Sequence, residues 1–332
     1  MWGIFLRTLT WRKIRNAVIN EAAFRISNLI RRPVMWGMPV TLGVEPTTAC
    51  NLRCPMCVSG TRSFTRPVGR LRPELFRKLI DQTAPDLAYL VFYFQGEPFI
   101  HPEFTDMVRY AADRNVFVAT SSNAHFFDDE TAEKTVLSGL GKLVVSIDGL
   151  SPETYERYRV GGDFHQAVEG VRTLVETKRR LRSATPFIEL QFIVFSHNED
   201  EIGRVKAFGK QLGVDRTVLK SAQIYDFEQQ AKFLPRDERY KRYRDGKLKG
   251  RPVNRCRRLW RGAEITWDGR VVPCCFDKNA DYVAGFFPQN SMRDIWLRSP
   301  AYREFRQSLL RGRKNIPICQ NCTEGLKPTR VV

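Results

Sequence analysis

The sequence predicts an α/β fold built on a mostly parallel sheet. Short apolar runs alternate with amphipathic helical stretches six times between Pro39 and about Lys220. Such alternation is the mark of right-handed β/α crossovers onto one sheet. Within it, Leu87–Phe94 (LAYLVFYF) is apolar almost without a break, as expected of a strand covered on both faces. A third observation places the chemistry. Cys50, Cys54 and Cys57 follow directly on the first apolar run, so three thiols are expected on a loop at the C-terminal end of a strand.

Residues 1–39 read as a basic amphipathic extension, with seven basic residues and one acid, Glu21. Trp11, Ile14, Val18, Ala22, Ile26 and Leu29 recur there at helical spacing, with Arg12, Arg15 and Arg25 between them. Pro33 ends the pattern. Such a helix suits a membrane interface or docking onto the bottom of the main domain. Docking is the expectation, and a membrane surface reached through residues 10–31 is not favoured.

Residues 40–225 read as the main domain. Val40–Glu45 alternates like a half-buried strand and stops at Pro46. A helix over 73–83 has Pro73 near its start. Leu87–Phe94 is the second strand, and a helix covers about 103–114. Val116–Thr120 follows, then a helix over 128–138 capped by Asp128 or Asp129. Leu143–Ile147 precedes helices over 151–159 and 164–182. Phe187–Phe195, a helix over 199–212 and Val214–Leu219 complete the six repeats. Residues 226–255 change character: they carry ten basic residues and little periodicity, and read as a connector over the mouth. Residues 256–326 form a second, smaller unit. Its signals are a hairpin (Ala263–Trp267, Asp268-Gly269, Arg270–Pro273), helices over 291–298 and 300–311, and Cys319-x2-Cys322.

Composition narrows the class. A 332-residue chain that is 42% hydrophobic supports a large core. No run of eighteen uncharged apolar residues occurs, so no membrane span is expected. Arg7, Arg12, Lys13 and Arg15 interrupt the start, which argues against a secretory signal. The chain reads as cytoplasmic. Its eight cysteines are clustered, not spread as a disulfide framework, and this points to metal. Only four histidines are present, and none sits at ligand spacing from another. Thiolate-only sites favour iron–sulfur or four-thiolate zinc. A net charge of +18 is compatible with acidic substrates, nucleic acid or an anionic surface. No RNA-binding motif is appended, so no nucleic-acid partner is expected.

Three thiolates are one short of the four that close a zinc site or an ordinary iron–sulfur cluster. A [4Fe–4S] cube held by three cysteines keeps one iron open. The alternative is a zinc or disulfide cluster whose fourth partner lies elsewhere. The C-x3-C-x2-C loop after the first strand resembles the signature of the radical S-adenosylmethionine (SAM) superfamily. Gln95-Gly96-Glu97-Pro98 is similar to that family's GGEP motif, with Gln95 in place of the first glycine. Ser121-Ser122-Asn123 and Ser146-Ile147-Asp148-Gly149 stand at the next two strand ends and resemble the family's T-N-G and V-S-I-D-G. Met56 stands where relatives often carry an aromatic.

The resemblance implies a partial, open (β/α)6 TIM-like barrel. It implies metal ligation by Cys50, Cys54 and Cys57, and SAM contacts at Gly96, Glu97, Pro98, Ser122, Asn123, Ser146, Asp148 and Gln191. Cys256, Cys274, Cys319 and Cys322 resemble the small C-terminal SPASM/twitch extension, a β-hairpin plus helix that binds one auxiliary [4Fe–4S] cluster. Cys274 and Cys275 are adjacent, so strand alternation turns them opposite ways, and the family pattern selects Cys274. A zinc ribbon is the alternative. The implied activity is reductive cleavage of SAM to a 5′-deoxyadenosyl radical and hydrogen abstraction from a substrate. The auxiliary cluster would accept an electron, and flavodoxin or ferredoxin would be the electron donor. The substrate is expected to be a small molecule or a peptide. A peptide or protein maturase and a non-catalytic Fe–S electron carrier are the other readings. Asp277, beside the auxiliary cysteines, is the expected general base.

Overall fold

The computed structural model describes residues 1–250 and 253–324. Positions 325 and 326 of the expected C-terminal unit, and 251 and 252 of the connector, lie outside the described residues. Two helices open the chain, α1 (Trp2–Arg7) and α2 (Trp11–Ile30). Six parallel strands follow: β1 (Thr41–Val44), β2 (Tyr89–Val91), β3 (Phe117–Ser122), β4 (Lys142–Ser146), β5 (Phe187–Val194) and β6 (Arg216–Ser221). The connector forms a small hairpin, β7 (Tyr243–Arg244) and β8 (Lys247–Leu248). Strands β9 (Gly262–Ile265), β10 (Arg270–Val272) and β11 (Gly285–Phe286) come last.

The β/α repeats form because each strand buries one apolar row against its crossover helix. Leu42, Leu90, Val118, Leu143 and Leu190 are fully or almost fully buried in one core, and each such side chain contributes about 1.5–3 kcal/mol. The helices answer with matched stripes, such as Leu75, Phe76, Leu79 and Ile80 on Pro73–Thr83. The strands' other row is mixed. On β5, half-buried Gln191 and Ile193 alternate with buried Leu190, Phe192 and Val194. That row faces the barrel lumen.

Three features depart from the sequence reading. The second strand spans only Tyr89–Val91, and further on Gly96, at a left-handed φ of 75°, turns the chain into the site. The C-terminal hairpin does not stand beside the barrel. Strand β9 pairs parallel with β1, and the sheet runs β11-β10-β9-β1-β2-β3-β4-β5-β6. Finally, α2 docks beneath the barrel by its polar face. Lys13, Asn16, Asn20, Ala23, Phe24 and Ser27 are buried, while Trp11, Ile14, Val18 and Leu29 are exposed. Asn16 explains the inversion. Its Nδ2 donates to the carbonyls of Met38 and Asp86, and its Oδ1 accepts from the Met38 amide. It thereby satisfies loop groups that an apolar side chain would strand. Among the described residues, no helix is long and apolar enough to cross a membrane.

Candidate functional site

Cys50, Cys54 and Cys57 lie together on the loop leaving β1. The Cys57 amide donates to the Cys54 carbonyl at 3.1 Å, and the Leu52 amide points at Cys50 Sγ from 3.4 Å. Gly60 lets the following helix close onto this loop: a Cβ there would stand 2.5 Å from the Cys54 carbonyl oxygen. Burial pushes the Cys50 thiol up to about 12, and the charges of Glu97, Cys54 and Cys57 act in the same sense. Three thiolates in such a place require a bound cationic centre, which deprotonates thiols outright. An iron–sulfur cluster fits this donor set.

The other strand-end motifs hold one another. Glu97 is buried; its Oε2 accepts from the Asn123 amide at 2.8 Å and its Oε1 from the Phe99 amide at 3.2 Å. Burial raises its pKa to about 7. Its carboxylate is therefore engaged in joining the ends of β2 and β3. Pro98 begins the short 3-10 turn that Glu97 caps. Asn123 Nδ2 donates to Asn51 Oδ1 at 2.8 Å, tying β3 to the cysteine loop. Ser122 Oγ accepts from the Ala124 amide. At Gly96 a Cβ would lie 2.3 Å from the Thr47 carbonyl oxygen, so only glycine allows this approach. Ser146 and Gln191 are register partners across β4 and β5.

Asp148 is also engaged. Its Oδ2 accepts from Arg159 Nε at 2.7 Å and its Oδ1 from the Ile193 amide at 2.6 Å. Arg159, which the sequence reading missed, lies between Asp148 and the thiols, with Nη1 4.0 Å from Cys54 Sγ. The field of Asp148 and Cys54 holds its guanidinium protonated against the cost of burial. The only sequence signal was a basic residue at the end of the helix that follows S-I-D-G. The reading also missed the buried pair Arg66–Glu45. Arg66 grips Glu45 with both terminal nitrogens, and its Nε donates to the Lys278 carbonyl. This pair joins the cysteine loop, the end of β1 and the C-terminal unit.

A cavity of about 310 Å³ opens at the C-terminal strand ends. Its walls run from Met56, Cys57, Gln95 and Gly96 past Tyr158 and Phe195 to Gln223, Tyr225, Cys275 and Lys278. Lys278 Nζ stands 3.7 Å from the centre of the Tyr225 ring, and burial lowers its pKa to about 8. Asp277, the expected general base, is not brought here. Its oxygens accept from the amides of Asp281 and Tyr282, and it is fully buried within that turn. Lys278, the next residue along this turn, lines the cavity instead.

Cys256, Cys274, Cys319 and Cys322 line a second cavity with Arg258, Arg313 and Glu324. Cys275 instead faces the first cavity, with Arg258 Nη1 2.9 Å from its Sγ. None of the eight cysteines is joined in a disulfide. Among the described residues no three His, Cys, Asp or Glu side chains close to the spacing of a single metal ion. The grouping of the four thiols therefore rests on their shared cavity.

Comparison with known proteins agrees with this geometry. The radical SAM superfamily model matches residues 44–188, and a SPASM iron–sulfur cluster-binding domain matches 256–323. An AdoMet-dependent heme synthase of Methanosarcina barkeri is 28% identical over 54% of this chain, and the match spans about half of that relative (49%). A Pyrococcus furiosus protein that modifies the cofactor of tungsten-containing aldehyde ferredoxin oxidoreductase is 26% identical, over 85% of this chain and 86% of its own. A PqqA peptide cyclase of Granulibacter bethesdensis is 23% identical, over 81% and 76%. Among solved structures, Streptococcus suis SuiB bound to S-adenosylmethionine superposes with a TM-score of 0.66 at 13% identity, covering 88% of this chain and 72% of that one. BtrN in complex with AdoMet and 2-DOIA gives 0.56 at 17% identity, covering 90% and 98%. These structures share the fold. The two matched domains, one carrying the three-cysteine loop and the other the four C-terminal cysteines that share a cavity, make this chain a member of the radical SAM superfamily with a C-terminal SPASM iron–sulfur domain.

Proposed function

We propose that this chain is a radical SAM enzyme that abstracts hydrogen from a substrate held between its two cysteine sets, with net oxidation. The observation that carries this reading is the cavity lined by Cys57 of the first set and by Cys275, the chain neighbour of the second set's Cys274, together with Lys278. With one electron from a flavodoxin or ferredoxin, the three-thiolate cluster and SAM supply a 5′-deoxyadenosyl radical when bound. Cys50, Cys54 and Cys57 would hold that cluster, and Cys256, Cys274, Cys319 and Cys322 would hold an auxiliary one, which would supply an electron acceptor for the oxidation. Glu97, Asn123 and Asp148 fix the loops around the first cluster. Arg159 Nη1 offers a cation beside it. Gly96, Pro98, Ser122, Ser146 and Gln191 shape the cofactor's surroundings. Met56, Tyr158 and Phe195 exclude water from the reacting space. Lys278 Nζ binds an anionic group of the substrate and sets its position.

Reduced protein carrying the first cluster should convert SAM to 5′-deoxyadenosine, and Cys50, Cys54 and Cys57 all changed to Ala should abolish this. No 5′-deoxyadenosine from protein with that cluster confirmed would leave an electron carrier as the reading. A peptide maturase is the second reading. It is favoured by likeness to the PqqA peptide cyclase and by the fold shared with SuiB, solved bound to precursor peptide SuiA.

A further inference from the structure

Helix α2 carries a line of exposed apolar residues along its outer side. At 100° per residue, Trp11, Val18, Ala22 and Leu29 fall on one line, opposite the buried Lys13, Asn16, Asn20 and Ser27. The outer residues are far from covered: Trp11 is 78% exposed, Val18 64% and Leu29 82%. Helix α1 continues the surface. Its Phe5 packs on Tyr89 and Phe117, the first residues of β2 and β3, while Trp2 is 69% exposed and Leu6 60%. The inner face is fully committed. Lys13 Nζ donates to the carbonyls of Thr8 and Asn115, and Trp260 Nε1 donates to Ser27 Oγ. The helix therefore cannot roll its apolar side inward without breaking this network.

Charge identifies what would cover such a face. Arg7, Arg15, Arg31 and Arg32 are exposed around it. The one acid of the segment, Glu21, is shared by Arg25, Arg257 and Arg261 at 3.0–3.1 Å, so this cluster stays positive. A second protein domain would favour a dry apolar patch with fewer charges at its centre. Exposed Trp, Leu and Val interleaved with arginine suit the boundary between headgroups and acyl chains of an anionic bilayer.

We propose that α1 and α2 form an in-plane anchor that seats this enzyme on an anionic membrane surface. The anchor lies at the N-terminal strand ends, and the cavity opens at the C-terminal ends. The bilayer therefore holds the enzyme in place and leaves the mouth facing water.

Full-length protein is mixed with phosphatidylglycerol–phosphatidylcholine vesicles or phosphatidylcholine vesicles, and flotation is measured at low and high salt. Anchoring predicts flotation with the anionic vesicles, falling with salt, and little with phosphatidylcholine. Changing Trp11, Val18 and Leu29 together to Ser should remove flotation while iron content and secondary structure stay unchanged. Arg15→Gln, Arg31→Gln and Arg32→Gln should each weaken partitioning about fivefold. Full-length protein that stays unbound at low salt would overturn the proposal. So would flotation that survives the triple Ser change, or self-association through this face that the same change abolishes.

Discussion

Single buried charges decide how the site is held, and their partners could not be read from spacing. Arg66 and Glu45 are twenty-one positions apart and both nearly inaccessible. Replacing Arg66 by Met leaves the Glu45 carboxylate buried without its partner, at a cost of about 3–5 kcal/mol. Urea unfolding should show that loss. Glu264 offers a pH test. Burial raises its pKa from 4.5 to about 7, against a smaller opposing effect of Arg258. The folded state therefore binds more protons than the unfolded one between those values, and stability falls as pH rises through that window. Glu264→Gln stays neutral throughout. Its stability relative to the parent should grow by on the order of 3 kcal/mol from pH 4.5 to pH 7 and level off above. No growth in urea-unfolding series across that range would mean that Glu264 ionises normally.

At the scale of elements, periodicity located α2, and tertiary contacts chose its face. A stripe of Trp, Ile, Val and Leu is ordinarily the buried side. Here the loop from Val34 to Met38 and the turn before β2 present bare backbone groups to the helix, and Asn16, Asn20 and Ser27 meet them. The two faces should respond in opposite ways to substitution. Asn16→Ala strands buried partners and should cost about 1–3 kcal/mol. Val18→Ser changes a solvent-facing position and should stay within about 0.5 kcal/mol. Thermal melts of the two variants separate the cases, and equal losses would contradict the inverted docking. The hairpin β9–β10 carries a similar lesson. Its Asp268-Gly269 turn was legible locally, whereas its pairing with β1 requires two stretches more than two hundred residues apart to meet.

For the whole molecule, iron content tests the two-cluster organisation. Two full cubes give about eight irons per chain after anaerobic reconstitution. Changing Cys50, Cys54 and Cys57 together to Ala should leave about four. Cys274→Ala should also fall to about four, while Cys275→Ala should keep about eight, because its thiol lies in the other cavity. Equal loss from both single changes would reject that division. The family resemblance implied the set of four C-terminal cysteines, and the sequence by itself determined the β/α order and the three-cysteine loop at a strand end. Those features are written in local apolar period and in short spacings. Only the tertiary structure decided that Asp148 is engaged by Arg159, that Lys278 and not Asp277 faces the cavity, that the hairpin extends the barrel sheet and that α2 turns its apolar face outward. Each of these depends on which distant backbone and charged groups must be satisfied once buried, and spacing along the chain does not record that demand.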